Sequence, residues 1–159
     1  FPSYEIYTAP DMYLAEGKVV VSHQTHFWGI DFLDSILEFK NGKVDTIIND
    51  QKNNVIMNKK NNLNRIGEIA LVSSDSPIAR LNQDFNNLLL DENAGCHLAL
   101  GESLNECFEI DDKENKQNYN FNVSKYHCDI VFGTPDINVE CKTFTGKKKI
   151  LINNGKWVL

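Results

Sequence analysis

The chain has 159 residues, 42% hydrophobic and 24% charged, with a formal net charge of -6. That size and balance fit one domain with its own core and exclude wholesale disorder. They also exclude a nucleic-acid partner, since no basic stripe is present to displace counterions from phosphates, and a membrane-spanning helix, since no apolar run approaches the ~20 residues one needs.

Taken in chain order, alternation of apolar and polar residues dominates. Residues 18–22 read as a strand. Residues 36–39 and 44–48 flank Asn41-Gly42, a strong short-range hairpin signal. Residues 50–64, rich in Asn and Lys, read as an exposed weak helix or a loop. Residues 66–72 form an apolar segment interrupted by Glu68. Residues 82–90 are expected to form a short helix with Phe85, Leu88 and Leu89 on one face. Residues 96–100 are apolar and end at Gly101. Residues 111–122 are polar and read as a surface loop. Residues 126–132 and 137–141 read as strands, and residues 149–152 and 156–159 flank a second hairpin turn at Asn154-Gly155. No repeat or internal linker is visible. The expectation is a single α+β domain over residues 1–159, a mainly antiparallel β-sheet with a few short helices.

Four cysteines, Cys96, Cys107, Cys128 and Cys141, include no C-x-x-C pair, which excludes zinc-knuckle and thioredoxin motifs. Cys128 and Cys141 lie in apolar stretches and read as buried thiols. No signal peptide opens the chain, so a cytoplasmic setting is expected. The first residue is Phe1 instead of Met, as in a fragment or processed piece.

Chemistry concentrates at a few misfits between residue type and pattern. In His127-Cys128-Asp129, residues i and i+2 of a strand share a face. His127 and Asp129 would project together as a pair of divalent-metal ligands, with Cys128 on the other side. A surface His–Asp hydrogen bond is the bland alternative. His97 sits in an otherwise apolar strand and Glu68 in Gly67-Glu68-Ile69-Ala70-Leu71-Val72. A carboxylate there is costly to bury unless paired or metal-bound. Glu5, in Glu5-Ile6-Tyr7-Thr8-Ala9-Pro10, is a weaker version of the same signal. Dinuclear hydrolases assemble such oxygen- and nitrogen-rich sets. His23 and His26 form a separate H-x-x-H. In a strand they would face opposite sides, which disfavours an extra metal site. Lys147-Lys148-Lys149, beside Gly146, reads as a solvated turn.

These segments, with Ser76-Pro77-Ile78, Asp91-Glu92-Asn93-Ala94, Cys96-His97-Leu98-Ala99-Leu100-Gly101 and Gly133 in the same order, resemble the thermophilic metallo-aminopeptidase family. That family includes the aminopeptidase T, PepS and AmpS types. The resemblance implies the C-terminal catalytic half alone, without the family's N-terminal α/β lobe. It implies an aminopeptidase domain that hydrolyses the N-terminal peptide bond of peptides through a metal-activated water. It also implies two divalent metal ions, zinc or cobalt, with manganese or magnesium as alternatives. Their ligands would be Glu5, Glu68, His97, His127 and Asp129, with Glu68 as the catalytic carboxylate that bridges the metals or shuttles a proton. Peptides with a free N-terminus are the implied partners, in a homodimer. Two departures stand out. Leu104 replaces a family tyrosine, and Phe85-Asn86-Asn87 loses an aromatic from the family's F-Y-N. The rival reading is a non-catalytic metal-binding or dimerisation domain. A carbohydrate or nucleotide enzyme lacks support, with no phosphate-cradling glycine loop and no recognisable glycosidase carboxylate pattern.

Overall fold

The computed structural model describes residues 4–27, 30–48, 62–107 and 113–158. Strands dominate and pair antiparallel. The central sheet has the order β1 (Glu5–Thr8), β7 (Ile66–Val72), β8 (His97–Gly101), β9 (His127–Val131). A second sheet joins β2 (Gly17–Val20), β5 (Ile36–Lys40) and β6 (Lys43–Ile48). A third joins β10 (Val139–Lys142), β11 (Lys148–Asn153) and β12 (Lys156–Trp157), and β3 (His26–Phe27) pairs with β4 (Ile30–Asp31). The expected α+β class, mainly antiparallel with few short helices, is what the fold has.

Both Asn-Gly hairpins form. Asn41 and Gly42 take φ of 51° and 72°, and Asn154 and Gly155 take 49° and 75°. Two consecutive left-handed residues match the twist of the flanking strands, and Asn and Gly tolerate them best.

The core lies between the first two sheets. Leu37, Phe39, Val44 and Ile47 from the second meet Ile66, Leu98, Leu100, Cys128 and Ile130 from the first, with Val21 and Phe32 closing the cluster. Each fully buried aliphatic side chain is worth about 1.5–3 kcal/mol relative to exposure. On β8 and β9 the core residues strictly alternate with His97, Ala99 and Gly101, and with His127, Asp129 and Val131. On β7 a bulge interrupts the alternation. Ile66 pairs with Leu100 while Glu68 pairs with Ala99, so two steps on β7 match one on β8. Gly67 is the extra residue. A Cβ there would collide with the carbonyl oxygens of Gly101 and Glu102. The bulge turns Ile66 into the core and Glu68 onto the opposite face, although the two lie two positions apart.

Four expectations need correction. The helix expected over residues 82–90 shrinks to a single turn, α1 (Leu88–Asp91), followed by a 3₁₀ turn (Glu92–Ala94). Asn82 and Asn86 take left-handed φ of 47° and 52°, which breaks any helix before it. The Asp91 carboxylate accepts the Phe85 and Asn87 N–H groups, and Leu89 is exposed. The polar stretch 111–122 is not a surface loop throughout. It carries a 3₁₀ helix (Lys113–Tyr119), and Lys116 and Asn122 are buried. Cys128 is buried but Cys141 only half-buried, and all four cysteines are free thiols. Most of residues 50–64 lies outside the described residues. Of the remainder, Leu63 and Asn64 are buried, contrary to an exposed segment. Among the described residues no helix is long and apolar enough to cross a membrane.

Candidate metal centre

Strand register places Glu5, Glu68, His97, His127 and Asp129 on one face of the central sheet. Glu5 pairs with Val72, and Tyr7 with Ala70, which pairs in turn with His97. Glu68 pairs with Ala99, which pairs with Asp129, while His127 pairs with Gly101. The side chains meet in two groups. His97 Nε2 lies 3.1 Å from Glu5 Oε2, reaching from β8 to β1 over Ala70 and Val72 of β7. His127 Nε2 lies 3.1 Å from both Glu68 Oε2 and Asp129 Oδ1, reaching from β9 to β7 over Ala99 and Gly101 of β8. Ala70 in the first group, and Ala99 with Gly101 in the second, leave room on the intervening strand for the long polar side chains to converge. One ligand atom from each of Glu68, His127 and Asp129 lies within 4.8 Å of the other two.

Burial is nearly complete. Glu68, His97 and Asp129 are buried, and Glu5 and His127 half-buried. Each imidazole is oriented from behind. His97 Nδ1 lies 3.3 Å from the Gly95 carbonyl oxygen and His127 Nδ1 2.8 Å from that of Glu102. A carbonyl only accepts, so each Nδ1 carries the hydrogen and each Nε2 is aimed at the carboxylates. That is how a metal-ligating histidine is held by its outer partner.

Burial pulls the His127 pKa down, but the hydrogen bonds its ring donates to Asp129 and Glu68 outweigh it and bring the value to about 10. His97 is raised too: burial opposes the shift, and the hydrogen bond to Glu5 with the nearby Asp129 charge overcomes it. The ordinary value is about 6.5. In the absence of a cation, the clustered carboxylates favour a proton on each imidazole. The donor set fits divalent cations: two oriented imidazoles and several buried carboxylates, whose mutual repulsion a cation would remove. Cys128 is no competitor. Burial, and then the Asp129 charge, push its thiol up to about 12, and the side chain lies in the core.

Sequence reasoning missed Glu92. Its carboxyl is raised to about 7, first by burial and then by Asp129 and Glu5, with a smaller addition from Glu68 and an opposing pull from His97. Glu92 also lines one cavity with His127 and Asp129. The signal was its place in the acidic run just before His97. Tyr7 was also passed over. It shares the face of Glu5, and burial, followed by Cys107, Glu106, Glu68 and Glu5, raises its hydroxyl pKa. Leu104 lies half-buried on the loop after β8. Beside the cluster opens a cavity of about 350 Å³ whose wall includes Gln24, Phe27, Asn86, Glu92, His127 and Asp129. His23 stands apart from the cluster's contacts, 3.0 Å from the Ser22 hydroxyl through Nδ1, and the His26 side chain lies outside the described residues.

A family model described as thermophilic metalloprotease (M29) matches residues 1–157. Aminopeptidase PepS of Streptococcus thermophilus is 32% identical over 99% of this chain and 40% of its own length. Aminopeptidase 2 of Geobacillus stearothermophilus is 31% identical over 98% of this chain and 39% of its own. The structure of wild-type AmpT from Thermus thermophilus is similar with a TM-score of 0.82 at 26% identity, covering 98% of this chain and 40% of that one. The chain thus spans about 40% of the length of the relatives it matches. With a sheet face that gathers histidines and carboxylates from four strands, and a family model that matches nearly its whole length, the chain belongs to the thermophilic metalloprotease (M29) family.

Proposed function

We propose that the protein is an aminopeptidase dependent on two divalent cations, zinc or cobalt, held by Glu5, Glu68, His97, His127 and Asp129, with Glu92 as a further carboxylate. The observation that carries this reading is the convergence of two imidazole–carboxylate groups, each closed at 3.1 Å, on one face of a single sheet. When bound, a pair of such cations lowers the pKa of water toward neutrality and polarises a scissile carbonyl. The chain's own residues supply the rest. Glu68, on the central strand β7 and hydrogen-bonded to His127, takes a proton and passes it to the leaving amine in this reading. The Gly95 and Glu102 carbonyls keep both imidazoles in the competent tautomer. The adjoining cavity, walled by Gln24, Phe27 and Asn86, receives the N-terminal residue of a peptide. A homodimer in the cytoplasm is the assembly and setting we favour, on the family resemblance.

Metal analysis tests the reading. Protein dialysed against zinc or cobalt should retain two ions per chain. Glu68→Ala and His97→Ala should lower affinity by more than about a hundredfold, since even an outer-shell partner is worth about ten- to a hundredfold. Two ions retained in either variant would sink the assignment. Leu104, which brings no hydroxyl to the loop after β8, favours a second reading: a metal-binding module without catalysis. Release of a chromophore from an aminoacyl anilide by the metal-loaded full-length protein selects the first, and two bound ions without release selects the second.

A further inference from the structure

We propose that Lys116 is a positioning residue for His127, acting through Glu102; its effect on metal affinity rests on the function proposed above. The segment after β8 leaves the sheet at Gly101, whose φ of +104° makes it a hinge open to few other residues. Nothing in the strand ladder beyond that hinge dictates where the next carbonyl points. Yet the Glu102 carbonyl oxygen is the one that accepts His127 Nδ1–H, at 2.8 Å.

The orientation of Glu102 is fixed by three further contacts, and a fourth holds its neighbour Ser103. Its N–H donates to the Tyr126 carbonyl oxygen at 2.7 Å. One carboxylate oxygen accepts the Ser124 N–H at 2.5 Å. The other forms an ion pair with Lys116 Nζ. Lys116 Nζ also donates to the Ser103 carbonyl oxygen, the next along the chain, at 2.7 Å. From the same polar segment, Asn122 Nδ2 donates to the Gly101 carbonyl oxygen at 2.5 Å, and its backbone oxygen accepts the Ser103 N–H at 3.0 Å. The hinge is clamped on both sides by the stretch that pattern alone assigns to solvent.

Lys116 is 5% exposed. Burying an ammonium is costly unless its hydrogen bonds are satisfied, and removing one member of such a pair strands the other. Without the ammonium, the half-exposed Glu102 carboxylate keeps the Ser124 N–H and has every reason to turn toward water. The Ser103 carbonyl would lose its Nζ donor as well, which leaves the peptide that carries the Glu102 carbonyl held by the Ser103 N–H bond to Asn122 alone, and the acceptor for His127 Nδ1–H would loosen. A lysine that served only as a staple would weaken the fold and leave the two histidines equally affected.

The test compares the exchange rates of the His127 and His97 ring Nδ1–H protons by ¹⁵N-edited NMR in metal-free, full-length protein. His97, held by the Gly95 carbonyl, is the internal control. Lys116→Met should speed exchange at His127 by about tenfold relative to His97, the loss of roughly one hydrogen bond. Zinc affinity should fall about tenfold, as for other outer-shell changes, and Lys116→Arg should restore both. An unchanged ratio of the two rates in folded Lys116→Met overturns the proposal. Should that variant not fold, Glu102→Gln, which keeps the shape and removes the ion pair, must shift the ratio in the same direction, and an unchanged ratio there overturns it equally. A shifted ratio in a protein whose wild-type form binds no zinc upholds the positioning role and sinks the metal reading alone.

Discussion

The two faces of the central sheet are written in alternate residues of the same strands and do opposite work. One face presents Ile66, Leu98, Leu100, Cys128 and Ile130 to the second sheet. The other presents Glu68, His97, His127 and Asp129, spaced by Ala70, Ala99 and Gly101. Stability and chemistry are thus separated by one position along a strand, because successive side chains point to opposite sides. The small residues of the polar face are as purposeful as the charged ones. Where the core face fills its volume, the polar face keeps volume free for long side chains from neighbouring strands to meet.

The sharpest way to break this comparison is to cut one residue from each face of the same strand. Leu100→Ala should cost about 2–5 kcal/mol of unfolding free energy, as buried leucines do, and leave the number of bound metal ions unchanged. His97→Ala should do the reverse, losing metal while keeping most of the unfolding free energy measured in chelator. Urea titrations with parallel metal analysis read both. A drop in metal stoichiometry for folded Leu100→Ala would show that the faces are not independent.

Ala99→Leu probes the empty volume itself. Ala99 is fully buried between Glu68 and Asp129. Extra methylenes there should cost about 1–3 kcal/mol through overpacking and separate the carboxylates from His127, so that zinc affinity falls. A variant that binds zinc as tightly as the wild type would mean that the room over β8 is not needed.

How much of this was legible in the sequence follows from the range of each interaction. The hairpins at Asn41-Gly42 and Asn154-Gly155 are local, and their turn chemistry is written in two residues. The pairing of His127 with Asp129 needs only the two-residue period of a strand, and Cys128 faces the core as that period requires. Glu68 and His97 stood out because a charge in an apolar run demands a reason. The facing of Glu68 was not legible. Plain alternation puts it on the side of Ile66, and only the bulge at Gly67 reverses that. The buried Lys116 was not legible either, since its partner Glu102 is 14 residues away and nothing local marks the pair. The helix expected over residues 82–90 failed where two asparagines took left-handed backbone, a choice rewarded by the Asp91 carboxylate and not by the apolar pattern.

A further expected effect is the dependence of the polar face on pH. In metal-free protein His127 holds its proton up to about pH 10, because Asp129 and Glu68 outweigh the burial that would remove it. A group whose folded pKa is raised stabilises the fold fully below its unfolded value, near 6.5, and that contribution disappears as pH rises through about 10. A cation must displace this proton to reach Nε2. Zinc affinity should therefore rise with pH, by about tenfold per unit for each proton displaced, across about pH 6.5 to 9. His97, shifted the same way by Glu5, should steepen the slope, and Glu92, with its carboxyl at about 7, should add to it at the acid end. Calorimetric titration at pH 8 in buffers of different ionisation enthalpy counts the protons directly, and at least one should leave per loaded chain. Chelated and metal-loaded protein should diverge in stability as pH rises, the first losing its imidazolium–carboxylate pairs and the second binding its ions more tightly. Affinity that stayed flat over that range would mean that the two histidines are neutral without metal, and that the acidic face is balanced by something other than their protons.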